Sequence, residues 1–325
     1  MNTNRRFLSK LAALVVAALL HGTACAQADK PVSLVVGYSA GGSADFVARV
    51  VSAELSKRLG RQVIVENVAG ASGMLAAQKV LAAPADGSVL YMGGTDTLLV
   101  PMVNPKFKLD WERDLQPVGR MTTVPMVFAV PAKSPYSTLP ELIRSLRKGE
   151  QGNFNYATPG IGTLQQFYGE LIKKQAKVSM LHVPYRGGAQ IATDLVGQQI
   201  DSAVLVLSTA MPFLKDGKIK ALSVSDSVRV PQLPDVKRIG EEEGFGGMAM
   251  PLWQMIFLKA GTPASIVSTY EKALFAAAGQ ADVRSKLLES GVSAAPLGAQ
   301  ESRTFIAAQA ALLRDIVTSA KITQD

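Results

Sequence analysis

Short apolar runs alternate with helix-length amphipathic stretches along most of this 325-residue chain, and glycine-rich joints connect them. Residues 33–38, 62–66 and 88–92 are rich in Val, Ile and Leu and end near Gly41-Gly42, Gly70 and Gly93-Gly94. Between them, Phe46, Val50, Val51 and Leu55 recur at helical spacing, and an Ala-rich helix is predicted over 74–83. The scheme repeats further on. Strands are predicted at 127–130, 154–157, 180–183, 203–207, 221–224 and 252–258, with helices over 164–174 and from 188 to near Gly197. Thr138-Leu139-Pro140-Glu141 has the spacing of a capping box with Pro near the helix start. Two long amphipathic helices close the chain, 263–290 (broken near Gly279) and 299–320. Such alternation confines the chain to the α/β class, with sheets expected to be mainly parallel and covered by helices. Pro/Gly punctuation at 121–125 and 244–247 marks expected crossings between two lobes, with the C-terminal helices returning to the first.

Residues 1–26 read as a secretory signal. Arg5, Arg6 and Lys10 precede an apolar run at 11–20 that is too short to span a bilayer, and Ala24-Cys25-Ala26 offers a cleavage pattern. Cleavage after Ala26 is the expectation; lipidation at Cys25 and a twin-arginine route are the alternatives. The charge then falls from 34 − 26 = +8 to (34 − 3) − 26 = +5, and His182 becomes the one histidine. With no cysteine left, a Cys nucleophile, a zinc cluster and a haem attachment are excluded, and no metal site or cofactor is expected. A small positive surplus without a Lys/Arg block is a weak case for nucleic acid, and none is expected as a partner. The localisation implied is the periplasm.

Ligands of open α/β sheets bind beyond the carboxyl ends of the strands, where loops feed helix N-termini. Those N-termini carry unpaired N–H groups and partial positive charge, so they hold anions without Lys or Arg. Four joints fit: 39–43, 69–73, 158–163 and 186–189. Glycines there equally make tight βα turns, and only joints from different lobes acting together raise the case for binding. Nucleotide motifs fail: after Gly37 and Gly42, Ser43 and Ala44 stand where a Walker loop needs Lys and Ser/Thr, and Gln165 replaces the third glycine after Gly160 and Gly162. Gly37-Tyr38-Ser39-Ala40-Gly41 is a G-x-S-x-G between strand and helix, which makes Ser39 a distant candidate hydrolase nucleophile with His182 as base. No upstream strand and loop can supply its oxyanion hole, and His182 sits in an apolar run suited to a structural imidazole. No enzyme activity is expected.

GYSAGGSADFVAR (37–49), VENVAGASG (65–73), NYATPGIGT (155–163) and HVPYRGGAQIATDLVGQQID (182–201) occur in order, with LPDV (233–236) and the Trp253 to Pro263 segment. In these motifs the chain resembles the periplasmic substrate-binding receptors of tripartite tricarboxylate transporters, the Bug-type receptors, over nearly all of its length after residue 26. The resemblance implies a two-lobed periplasmic-binding-protein (Venus flytrap) fold, lobe 1 being 27–123 plus 247–325 and lobe 2 being 124–246. It implies a small organic carboxylate held between two loops by backbone N–H groups and bridging waters. The first loop supplies Tyr38, Ser39, Ala40, Gly41, Gly42, Ser43 and Asp45; the facing loop supplies Ala157, Thr158, Pro159, Gly160, Gly162 and Thr163. Thr95, Asp96 and Thr97 complete the wall. Asp45 is expected to brace its helix start, and Thr158 and Thr163 can equally be capping hydroxyls.

The partners implied are the large and small integral membrane subunits of such a transporter; a ligand-sensing module for a signalling protein is the alternative. Two departures from the family pattern stand out. Tyr38-Ser39-Ala40 replaces the more usual Phe-Ala-Pro, and Asp96 adds a carboxylate where neutral residues are more usual. If Asp96 faces the cleft, it repels a second carboxylate and favours an amine, amide or hydroxyl.

Overall fold

Buried aliphatic runs build two sheets, joined where two strands carry the chain from one to the other. The computed structural model describes residues 30–149 and 152–320. The signal segment expected at 1–26 lies outside the described residues. Among the described residues no helix is long and apolar enough to cross a membrane.

In chain order the first part comprises β1 (Val32–Val36), α1 (Ser43–Leu59), β2 (Val63–Asn67), α2 (Met74–Ala82), β3 (Val89–Gly94), α3 (Thr95–Val103), α4 (Trp111–Asp114) and β4 (Leu115–Val124). The middle comprises β5 (Met126–Pro131), α5 (Leu139–Arg147), β6 (Asn155–Thr158), α6 (Leu164–Ala176), β7 (Leu181–Pro184), α7 (Gly188–Val196), β8 (Ser202–Val206), α8 (Leu207–Lys215) and β9 (Ile219–Val224). The last part comprises β10 (Leu252–Lys259), α9 (Ala264–Ala278), α10 (Ala281–Glu289), β11 (Ser293–Leu297) and α11 (Ala299–Ala320). The first sheet has the order β11-β4-β10-β3-β1-β2 and the second β7-β6-β8-β5-β9. The C-terminal helices pack on the first sheet, α9 against α1 and β4, and α11 against β4 and α3.

The sheets are mixed, which corrects the expectation of mainly parallel ones. Each keeps a parallel trio, β2-β1-β3 and β7-β6-β8. β10 runs antiparallel to β3 and β4, β11 to β4, and β5 to β8 and β9. The cause is the crossing itself. β4 continues through Pro125 directly into β5, and the chain returns from β9 to β10 without an intervening α-helix. β5 and β10, which run against their neighbours, are therefore not reached by the helical crossover that aligns parallel strands.

The chain leaves the first sheet between Val124 and Met126 and returns between Val224 and Leu252. The two crossings lie side by side. Ser225 N–H donates to the Met126 carbonyl at 2.9 Å, Met126 N–H donates to Ser225 Oγ at 2.9 Å, and Met250 N–H donates to the Ser225 carbonyl at 2.7 Å. Two adjacent backbone strands as the connection are the anatomy of a hinge.

Candidate functional site

Both sheets aim helix N-termini at one cavity. Its wall includes Gly42 and Ser43 at the start of α1, Thr95 and Asp96 at the start of α3, Gln165 in the first turn of α6, Gly188 opening α7, and Val206 and Thr209 at the start of α8. The opening N–H groups of a helix have no carbonyl partner within it, so five such ends make a positive enclosure. Among the described residues, no Lys, Arg or His lines the cavity. It leaves about 60 Å³ for the centres of water-sized groups. One water needs roughly 10–15 Å³ by that measure, so the space suits a small metabolite.

Asp96 ties the lobes together through this cavity. Its Oδ2 accepts the Tyr38 hydroxyl at 2.5 Å, and its Oδ1 accepts the backbone N–H of Leu164 at 2.8 Å. A carboxylate from the first lobe therefore caps a helix of the second. Burial pushes the Asp96 pKa up to about 6, while the bonds from Tyr38 and Leu164 act the other way. Burial, then the charge of Asp96, raises Tyr38 well above the usual phenol range.

Other contacts also cross between the lobes. Ser72 Oγ donates to the Ile161 carbonyl at 2.6 Å, and Ser208 Oγ donates to Ser43 Oγ at 2.7 Å. Ala71 and Ser72 both hold positive φ, 49° and 53°, a strained turn that places Ser72 at the cleft. On the cavity floor Gln254 Oε1 accepts Thr122 Oγ1 at 2.8 Å, and its Nε2 donates to Ser43 Oγ at 3.4 Å.

The 158–163 loop is shaped from behind by His182. The ring Nε2 lies 2.7 Å from Thr158 Oγ1 and Nδ1 lies 3.3 Å from Gln166 Nε2, while the ring packs on Tyr156 with centroids 5.1 Å apart. Gln166 Oε1 in turn accepts Gly162 N–H at 2.6 Å, and Thr163 Oγ1 donates to the Gly160 carbonyl at 2.8 Å. Burial holds His182 down at about pKa 4, so the ring is neutral. Both ring nitrogens are thus engaged within the second lobe, whereas Ser39 Oγ is buried with no hydrogen-bond partner. The Ser39–His182 pair needed for hydrolysis is not formed.

The cavity takes Tyr38, Gly42, Ser43, Thr95, Asp96, Thr97 and Pro159 from the residues expected at the site. Ser39, Ala40, Gly41, Asp45, Ala157, Thr158, Gly160, Gly162 and Thr163 do not line it. Ala40 and Gly41 are exposed at the loop tip. Asp45 accepts Gly41 N–H at 2.9 Å and pairs with Arg49, which braces the loop. Burial alone would raise the Asp45 carboxyl, but the bonds from Arg49, Gly41 and Asn67 hold it below the usual range. Thr163 Oγ1 caps α6 by accepting Gln166 N–H at 3.4 Å. Thr97 Oγ1 accepts Gly94 N–H at 3.0 Å.

The expected site residues omitted Gln165, Gln254, Tyr91, Thr209 and the apolar wall of Val204, Leu205 and Leu252. Ser72 and Gly188, by contrast, lie in joints already singled out as candidate anion loops.

The sequence model of the family described as "Tripartite tricarboxylate transporter family receptor" matches residues 47–322. The chain belongs to this receptor family. The receptor is 32% identical over 295 residues to a UPF0065 protein of Bordetella bronchiseptica, covering 90% of this chain and 87% of that one. Among solved structures it resembles the periplasmic binding protein BugD, with a TM-score of 0.86 and 25% identity over 91% of this chain and 99% of BugD. It also resembles MatC of Rhodopseudomonas palustris, solved with bound malate, with a TM-score of 0.82 and 30% identity over 88% and 98% of the two chains. The receptor thus has the two-lobed fold of periplasmic binding proteins, and its solved neighbours are binding proteins.

Proposed function

We propose that the receptor captures a small organic carboxylate between lobes 27–123 plus 247–325 and 124–246, and carries it through the periplasm to the large and small membrane subunits of a tripartite tricarboxylate-type transporter. Removal of residues 1–26 during export belongs to this reading. One observation carries it: helix N-termini from both sheets open onto one cavity that, among the described residues, no Lys, Arg or His lines. Such a cavity favours an anion small enough to be wrapped by main-chain donors. MatC, a binding protein of the same fold, holds malate.

Ligand contact is assigned to Tyr38, Gly42, Ser43, Thr95, Asp96, Thr97 and Pro159. Ser39, Gly41, Asp45, Thr158, Gly160, Gly162 and Thr163 keep the two loops in shape. The magnitudes are sufficient. Micromolar affinity corresponds to about 8 kcal/mol, and charge-assisted hydrogen bonds contribute roughly 1.5–3 kcal/mol each. Four or five of them with some apolar burial reach that value after the cost of association. Donors from both lobes are needed at once, so binding and closure are linked.

A thermal-shift screen of the receptor against small organic acids tests this reading. A true ligand at about 100 times its Kd adds about 2.7 kcal/mol and raises the melting point. A deletion strain should then lose uptake of that acid. If no acid shifts the melt, carboxylate capture is refuted.

A further inference from the structure

The cavity has two chemical ends, and the protein fills one with a carboxylate of its own. Asp96 occupies the opening of α6, where the Leu164 N–H points at its Oδ1. A helix start that would draw a ligand anion already holds an anion. Each oxygen of Asp96 makes one hydrogen bond here, to Leu164 N–H or the Tyr38 hydroxyl. A carboxylate has about four acceptor positions, so some are left for a donor. The next residue along α6 from Leu164 adds to this end. Gln165 is 3% exposed, lines the same cavity, and its Oε1 has no hydrogen-bond partner. A buried amide oxygen left unpaired is costly, and a donor on the ligand would relieve it. The other end is opposite in character, since Ser43 and Gly188 present the neighbouring openings of α1 and α7.

From this two-signed cavity we infer that the receptor selects a small monocarboxylate carrying an ammonium group at its far end, with Asp96 and Gln165 as the selecting residues. The inference rests on the carboxylate reading above and narrows it. The ligand's carboxylate takes the helix openings of α1 and α7, and its ammonium takes Asp96 and the Gln165 amide oxygen. A dicarboxylate of equal length would bring its second charge against Asp96, and no cationic side chain lines the cavity to offset it. A hydroxyl in place of the ammonium would satisfy the acceptors without the charge and should bind with intermediate strength.

Calorimetry on the receptor at pH 7.5 tests this with length-matched probes of three to six carbons: the n-alkanoate, the ω-amino-alkanoate and the α,ω-dicarboxylate. At the length that fits, the ω-amino acid should bind at least about tenfold tighter than the dicarboxylate, a difference of about 1.4 kcal/mol. Asp96→Asn should bring the two within about threefold. Gln165→Leu leaves the Asp96 bridge between lobes in place, and so serves if Asp96→Asn fails to fold. It should weaken the ω-amino acid several-fold more than the n-alkanoate. A dicarboxylate that binds the unaltered receptor as well as the ω-amino acid overturns the selection and leaves carboxylate capture standing. Binding of no acid at any length overturns both.

Discussion

Half-buried His182 and buried Asp96 respond to pH in opposite directions. The His182 ring is held at about pKa 4 against an ordinary 6.5, chiefly by burial, with Glu170 acting to raise it and Lys173 to lower it. Its neutral form stabilises the fold fully above about pH 6.5, and that contribution is lost as pH falls towards 4. Asp96, raised to about 6, contributes fully below about pH 3.8 and loses that contribution as pH rises through 6. Calorimetric melting of His182→Gln between pH 7.5 and 5 should show a shallower acid loss than the unaltered protein. The difference at pH 5 should be about 1 kcal/mol once partial exposure is allowed for. An identical slope would mean that the ring is not the acid-sensitive group. Legibility at this scale followed chemistry. Asp96 was visible in the sequence as a charge out of place. Gln165 and Gln254 were not, because a glutamine on an amphipathic helix or in a strand carries no sign of which neighbour it meets.

Helix starts and close backbone approaches decide the shape of the cleft. Gly187 has extended φ, so alanine there costs the backbone nothing, yet its Cβ would run into Ser39 Oγ on the facing lobe. Gly187→Ala should therefore lower ligand affinity about tenfold while the ligand-free melting point changes little; titration calorimetry beside a melt measures both. A large drop in the melting point would show that the contact serves folding rather than closure. Thr163→Ala removes the side-chain cap of α6 and should cost about 1 kcal/mol in urea unfolding. The parallel trio β2-β1-β3 was legible because its strands are short aliphatic runs followed by glycine-rich joints. β4 was not, since LQPVGRMTTV interrupts its apolar pattern with Pro, Gly and Arg. β11 was missed too, being five residues with a Pro inside. With those strands unseen, the antiparallel half of the first sheet could not be inferred.

The two lobes are joined by the paired crossings at Pro125 and Ser225. The buried Ser225 hydroxyl accepts Met126 N–H at 2.9 Å. Ser225→Ala leaves that amide unpaired and should cost about 1–3 kcal/mol of stability by chemical unfolding. Small-angle scattering should show the radius of gyration shrinking on ligand addition, and no change would mean that the lobes do not move with occupancy. Pro/Gly punctuation in the sequence suggested two lobes, but it could not reveal the bond from Leu164 to Asp96, because that contact spans 68 positions. The absence of Lys and Arg from the cavity wall has a consequence for how such a protein can be retuned. A grip made of peptide groups keeps its donors through most single substitutions, for every residue type except proline brings the same N–H. The readily altered component is whichever side chain crowds that grip, so exchanging position 96 should redirect the pocket toward a new cargo while its hold on one carboxyl group persists.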